Sequence, residues 1–351
     1  MPDKQKILTQ IFLILGSEFF AFLIAIIITP FFIKFLYAKK IGKQIRNTAA
    51  SGEKASLYHK LHSTKTGTPT MGGIVIWGTT LVVLLFSHGL YLMGLIDRSL
   101  INRQETYLPI FTLITAATLG AVDDYFNIKG LGQSKGINIK PKMFWLLLLS
   151  TLGAFWFYEK LEYDTIFIPF LGSLEIGWLY IPLFILVIVS TANAVNFTDG
   201  LDGLAGGLAV IAFTAFGIIA YMKSLIILSA FCAIIAGATL AFVWHNVPPA
   251  KFFMGDTGAL ALGATLGVIA MLTDSVAVLP IIGFVFVIET LSIIIQLCSK
   301  KLFNRKVFAI APLHHHFEHQ GISEHTVVMR FWIVGAISAG LGVILFLLGK
   351  L

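Results

Sequence analysis

The feature that most limits the fold is a repeated alternation of long apolar runs with short polar segments, sustained over 351 residues. The runs lie near residues 11–33, 71–93, 107–122, 143–158, 176–195, 206–222, 225–243, 258–272, 278–299 and 329–348. They lack the period-2 alternation of barrel strands, and a segment in hydrocarbon must satisfy its own backbone amides, so helices are predicted. Several runs are shorter than the ~20 residues that cross a bilayer unaided, so their ends are expected to shift by a few residues. Hydrophobic residues make up 57% of the chain and charged residues 12%. A soluble domain carries roughly 25% charged residues, which excludes a soluble core. The expected fold is an all-α polytopic membrane protein with ten transmembrane helices, forming one domain over residues 1–351.

Orientation follows from the basic residues. The formal net charge is +7, and 18 of the 25 Lys and Arg fall in the odd-numbered loops or at their edges. The positive-inside rule therefore places those loops in the cytoplasm and both termini in the periplasm. The excess positive charge is a matter of topology, and nucleic acid is not an expected partner. The N-terminal run is read as an uncleaved span, because Glu18 interrupts it and no small-residue cleavage site follows. Cys232 and Cys298 sit inside apolar runs and read as small buried hydrophobes. Residues 159–177, with Pro169, Gly172 and Gly177, suggest a short surface hairpin.

With that orientation, Asp123, Asp124, Asp199, Asp202, Asp256, Glu318 and Glu324 all gather on the cytoplasmic side. An ion-conducting protein places charges at mid-membrane. Here only Glu18 and Glu289 lie deep in the runs, and neither has an obvious partner within its own span. An interfacial enzyme is therefore expected, with an active site on the cytoplasmic face, and a membrane transporter is the rival from a different class.

Five segments carry the candidate chemistry. Asp123-Asp124-Tyr125 follows the third run, where adjacent carboxylates repel unless a cation joins them. Mg²⁺ is held by one or two carboxylates plus substrate phosphates, although an acidic pair can also simply end a helix. Residues 196–203 (NFTDGLDG) offer two carboxylates three apart with glycines after each, and fit either an oxygen-ligand loop or a capped helix start. Residues 246–258 form an irregular Pro/Gly loop carrying Phe253 and Asp256, suited to base stacking and to a metal. Residues 311–318 (APLHHHFE) hold three histidines that cannot all face one ion on a helix, so phosphate contacts are favoured over zinc. Residues 65–73 supply Lys65 and flexible glycines without the spacing of a P-loop.

Taken together, the stretches 67–73 (GTPTMGG), 123–125 (DDY), 192–203 (ANAVNFTDGLDG), 253–258 (FMGDTG) and 311–318 (APLHHHFE) resemble the phospho-N-acetylmuramoyl-pentapeptide-transferase family. That family lies within the polyprenyl-phosphate N-acetylhexosamine-1-phosphate transferase superfamily. The resemblance implies Mg²⁺-dependent transfer of phospho-MurNAc-pentapeptide from UDP-MurNAc-pentapeptide to undecaprenyl phosphate in the bacterial inner membrane, giving lipid I and UMP. It implies catalytic Asp123, Asp124, Asp256 and His315, with Asp256 and Asp124 at the metal. It implies substrate contacts from Lys65, Thr70, Asn196, Asp199, Asp202, Asn246, Phe253, Gln296, His314 and His316. A homodimer with a lipid groove around a bent ninth helix is implied as well. Ala259, Ala309 and Asn127 depart from residues common in the family. The nearest rival within the class transfers GlcNAc-1-phosphate, and the histidine run argues against it.

Overall fold

The computed structural model describes residues 2–42, 65, 67–102, 105–130 and 139–350. Lys43, Arg46, Lys54, Lys60, Arg103 and Lys135, counted above among the basic residues, lie outside the described residues. A helix lies over each predicted apolar run. They are α1 (Pro2–Ala38), α2 (Gly73–Leu92), α3 (Tyr107–Lys129), α4 (Ile139–Lys160), α5 (Tyr180–Thr198), α6 (Leu204–Met222), α7 (Ile226–Asn246) and α8 (Asp256–Leu272). After these come a short α9 (Leu279–Ile282), α10 (Phe284–Phe303), a short α11 (Leu313–His319) and α12 (Glu324–Leu348).

Among the described residues, six helices are long and apolar enough to cross a membrane, and the segment 276–303 makes a seventh if its bent halves count as one span. Those halves meet at 81°, at Gly283. Gly283 has φ −91°, ψ 25°, which ends one helix and starts the next at a different angle.

The centre of the bundle is α8. It is only 17 residues long, yet every residue from Thr257 to Leu272 is buried. A helix apolar all round belongs in a core, and its glycines explain how neighbours come so near. A Cβ on Gly263 would lie 2.4 Å from the Thr191 carbonyl oxygen of α5, and one on Gly73 of α2 would lie 2.2 Å from Gly258 Cα. Helices α3 and α5 pack along α8, while α1, α2 and α6 pack on α7, and α12 covers α6.

The predicted hairpin forms as β1 (Thr165–Ile168) against β2 (Gly172–Glu175), antiparallel, with Thr165 opposite Glu175. It docks on the bundle: the Phe167 N–H donates to Asp274 Oδ1 at 2.8 Å, and the Phe167 and Phe346 rings lie 5.6 Å apart. One expectation needs correction. Cys232 is buried, but Cys298 is exposed on the outer surface of α10, because the apolar run there has one face turned away from the bundle.

Candidate active site

The site grows from the way α3 crosses the start of α8. A Cβ on Gly120 of α3 would fall 2.1 Å from the Asp256 carbonyl oxygen, so only glycine permits this approach. One turn further along α3, Asp124 then reaches the free amides at the head of α8. Its Oδ1 accepts from the Asp256 N–H and its Oδ2 from the Thr257 N–H, each at 3.1 Å. A helix N-terminus has unpaired donors and a partial positive charge, which a carboxylate satisfies. Gly255 completes the junction. Its φ of +74° disfavours a side chain, and a Cβ there would meet Asp124 Oδ2 at 2.5 Å. Thr257 Oγ1 donates to the Ala117 carbonyl at 2.9 Å and anchors the same crossing.

Held in this way, Asp256 turns its side chain toward two other helices. Asn196 Nδ2 of α5 donates to Asp256 Oδ1 at 2.9 Å. Lys142, in the first turn of α4, places its Nζ on Asp256 Oδ2. The same ammonium stands 3.7 Å from Asp123 Oδ2. Burial pushes the Asp256 carboxyl up, but Lys142, a hydrogen bond shared with Asp123 and one donated by Asn196 hold it well below the ordinary carboxylate range. Asp123 and Asp256 therefore converge on one cationic point, while Asp124, next to Asp123 in sequence, is occupied by the helix.

A second network lies around the α5–α6 turn. Asp202 accepts from Lys65 Nζ at 2.7 Å through Oδ1 and from the Ala250 N–H at 3.0 Å through Oδ2. Glu324, the first residue of α12, accepts from the same Lys65 Nζ at 2.5 Å and from the Asp202 N–H at 2.8 Å. Burial pulls the Lys65 ammonium down, and the two carboxylates more than offset it, leaving it above the usual lysine value. Asn246 joins the turn to the 247–255 loop. Its Oδ1 accepts from the Gly203 N–H at 2.9 Å and its Nδ2 donates to the Phe252 carbonyl at 2.8 Å. Asp199 ends α5 at a partly exposed position.

The two phenylalanines of that loop separate. Phe252 is fully buried against Phe242, with ring centroids 5.0 Å apart, while Phe253 remains partly exposed. The Phe253 main chain bridges to residues 69–72: its N–H donates to the Pro69 carbonyl at 2.7 Å, and the Gly72 N–H donates to its carbonyl at 2.8 Å. Thr70 is thereby buried beside the Gly255–Asp124 junction.

The three histidines diverge. His314 is wholly buried and faces Glu289 of α10. His315 Nδ1 lies 2.8 Å from Glu318 Oε2, while His316 Nδ1 accepts from the Ala309 N–H at 3.3 Å. Gln296 clamps the preceding loop. Its Oε1 accepts from the Val307 and Phe308 N–H groups at 3.0 Å each, and its Nε2 donates to the Phe308 carbonyl at 2.8 Å.

Sequence comparisons place the chain among known relatives. The glycosyl transferase family 4 model matches residues 107–274, the stretch from α3 through α8 that holds all three of Asp123, Asp124 and Asp256. A phospho-N-acetylmuramoyl-pentapeptide-transferase of Chloroflexus aurantiacus is 37% identical over 342 residues, covering 93% of this chain and 88% of its own. Proteins of the same name from Geobacillus sp. and Pelagibacter ubique are each 40% identical, over 92% of this chain and 94% and 89% of theirs. The chain belongs to the phospho-N-acetylmuramoyl-pentapeptide-transferase family.

Three residues of this transferase escape the motif reading. Lys142 is one of several loop lysines with nothing in the sequence to single it out, and its place at the head of α4 puts it between Asp123 and Asp256. Glu324 was noted only as one acidic residue of the cytoplasmic side, and it closes the Lys65–Asp202 network. Glu289 lacked a partner within its own span and finds one 25 residues away in His314. Among the described residues no group of three or more His, Cys, Asp or Glu side chains is gathered closely enough to hold a metal alone. The carboxylate oxygens of Asp123 and Asp256 do already enclose a cationic group, and this hard, all-oxygen donor set fits a divalent ion completed by substrate phosphates and water.

Proposed function

We propose that this transferase moves phospho-MurNAc-pentapeptide from UDP-MurNAc-pentapeptide to undecaprenyl phosphate, releasing UMP and leaving lipid I in the bacterial inner membrane. The observation that carries the reading is the convergence of Asp123 and Asp256 on one cationic point at the head of α8. Both substrates are anions, and phosphoryl transfer between anions is catalysed chiefly by positioning and charge neutralisation. Mg²⁺, when bound, would neutralise the diphosphate and ease departure of UMP. Asp256 would hold that ion. Asp124 contributes indirectly, by fixing the backbone of Asp256, rather than as a ligand of its own.

The lipid phosphate is largely ionised near neutral pH, so it attacks the β-phosphorus directly and Asp123 removes any residual proton. Lys142 shares the negative charge at that point, and His315 the charge on the diphosphate. Lys65, Asp199, Asp202, Asn246 and Phe253 line the nucleotide end, with Phe253 stacking on uracil. Thr70 and Gln296 shape the loops around that pocket. His316 faces the sugar diphosphate, and His314, enclosed between Glu289 and the α5–α6 turn, supports that surface from behind. Ten spans with both termini periplasmic, an orientation supported by the 18 basic residues on the loop side that carries the site, and a homodimer in membrane lipid complete the proposal.

The test is UMP release by the purified protein with undecaprenyl phosphate and each UDP-sugar, with and without Mg²⁺. We expect turnover only with UDP-MurNAc-pentapeptide and Mg²⁺. Equal turnover with UDP-GlcNAc overturns the substrate assignment, and a labelled phosphoenzyme trapped without lipid acceptor overturns direct attack.

A further inference from the structure

Glu289 is a carboxylate with no exposed surface, set in the longer half of a bent helix pair. An isolated charge there is costly, and acidic residues at such depth persist where they are paired and used. Its partner is the first histidine of the run. The His314 main-chain N–H donates to Glu289 Oε1 at 3.1 Å, and His314 Nδ1 lies 3.0 Å from Oε2. Both side chains are fully enclosed.

The far side of the ring meets the α5–α6 turn. A Cβ built on Gly200 would fall 2.3 Å from His314 Nε2, so the imidazole packs on the backbone between Asp199 and Asp202. On its own helix the ring has His315 beside it, with centroids 4.1 Å apart, and His315 is in turn held by Glu318. Glu289 thus acts on one end of a ring whose other end touches the turn that carries two site carboxylates.

We propose that Glu289 is a positioning residue for the transfer reaction, acting through His314. The carboxylate accepts the Nδ1 hydrogen bond, which fixes the tautomer and leaves an unprotonated Nε2 packed against Gly200. The orientation of the ring then sets the position of the 199–202 turn. The inference rests on the reading that this turn binds the nucleotide sugar.

The test is a double-mutant cycle in the full-length protein with Glu289→Gln and His314→Gln. Glu289→Gln keeps shape and most hydrogen-bonding capacity, so a purely structural role predicts near-normal turnover. We expect kcat to fall about 10- to 100-fold, as for other residues that orient a histidine, with KM for undecaprenyl phosphate unchanged. On the His314→Gln background the same substitution should cost nothing further. Losses that multiply, or a normal kcat in Glu289→Gln, overturn the proposal. Should Glu289→Gln fail to fold, Gly200→Ala displaces the ring from its other side with Glu289 intact. It should lower kcat in the same way, and full activity in that variant also overturns it. Absence of transfer by the unsubstituted protein counts against the proposed function instead.

Discussion

The two ends of the helix bundle treat charge differently. At the end that carries the hairpin, Lys223 stands 3.7 Å from Asp274 and donates to the Thr273 carbonyl at 2.8 Å. Asp274 also accepts from the hairpin's Phe167 N–H. One cation meets one anion, and the remaining polar atoms bind backbone. At the opposite end two lysines each meet two acids: Lys142 faces Asp123 and Asp256, and Lys65 faces Asp202 and Glu324. The first pattern fastens loops. The second leaves acid in excess around one cation, an arrangement that costs stability and suits a site waiting for further positive charge.

The largest test of that difference is Asp256→Asn. Removing the carboxylate from the cationic point should lower turnover by roughly 10²–10³-fold, the cost of losing one electrostatic contact to a developing charge. The fold should survive, because an asparagine still accepts from Asn196. Measured UMP release above a tenth of the parent rate would take Asp256 out of the metal role.

Next in size is the contrast between the adjacent aspartates. Asp124→Ala removes the carboxylate at the head of α8, and loss of such a cap costs about 1–2 kcal/mol. Its melting temperature should drop together with its activity. Asp123→Asn removes one acid from the Lys142 point and keeps a hydrogen-bonding group toward Asp256, so activity should fall while thermal stability holds or rises. If thermal melts place the two variants in the reverse order, the assignment of Asp124 to the helix and Asp123 to the chemistry is wrong.

This pair shows what the sequence could and could not convey. The DDY stretch marked both carboxylates, and nothing local distinguished them, because their roles depend on which one meets α8 after the crossing at Gly120. The apolar runs were legible for a similar reason: a helix in lipid is fixed by its own residues. Lys142 and Glu289 were not, since each gains meaning from a partner on another element. The break at Gly283 and the split between Phe252 and Phe253 also depend on tertiary packing.

Phe253 gives a smaller test. Its backbone already ties residues 69–72 to the loop, so Phe253→Ala should leave the loop in place and remove only the ring. Stacking on a base is worth about 1–3 kcal/mol, so uridine nucleotide affinity should fall about tenfold in a calorimetric titration. Unchanged affinity would sink the stacking role and shift recognition to Lys65 and Asp202.

The smallest expected effect lies at the other end of the bundle. Lys223→Met cuts the one-to-one pair with Asp274 and the hydrogen bond to Thr273, at a position that keeps some solvent exposure. Pairs of this kind contribute about 0–1 kcal/mol, so the melting temperature should fall only slightly and kcat should not move. The value of this variant is as a control on the comparison. If breaking a balanced pair far from the site disturbed turnover as much as Asp123→Asn, then charge would matter to this fold as a fastener everywhere. The excess of acid around Lys142 would lose its claim to be a site. If turnover holds, the two ends are chemically distinct, and the gathering of Asp123 and Asp256 on Lys142 belongs to function.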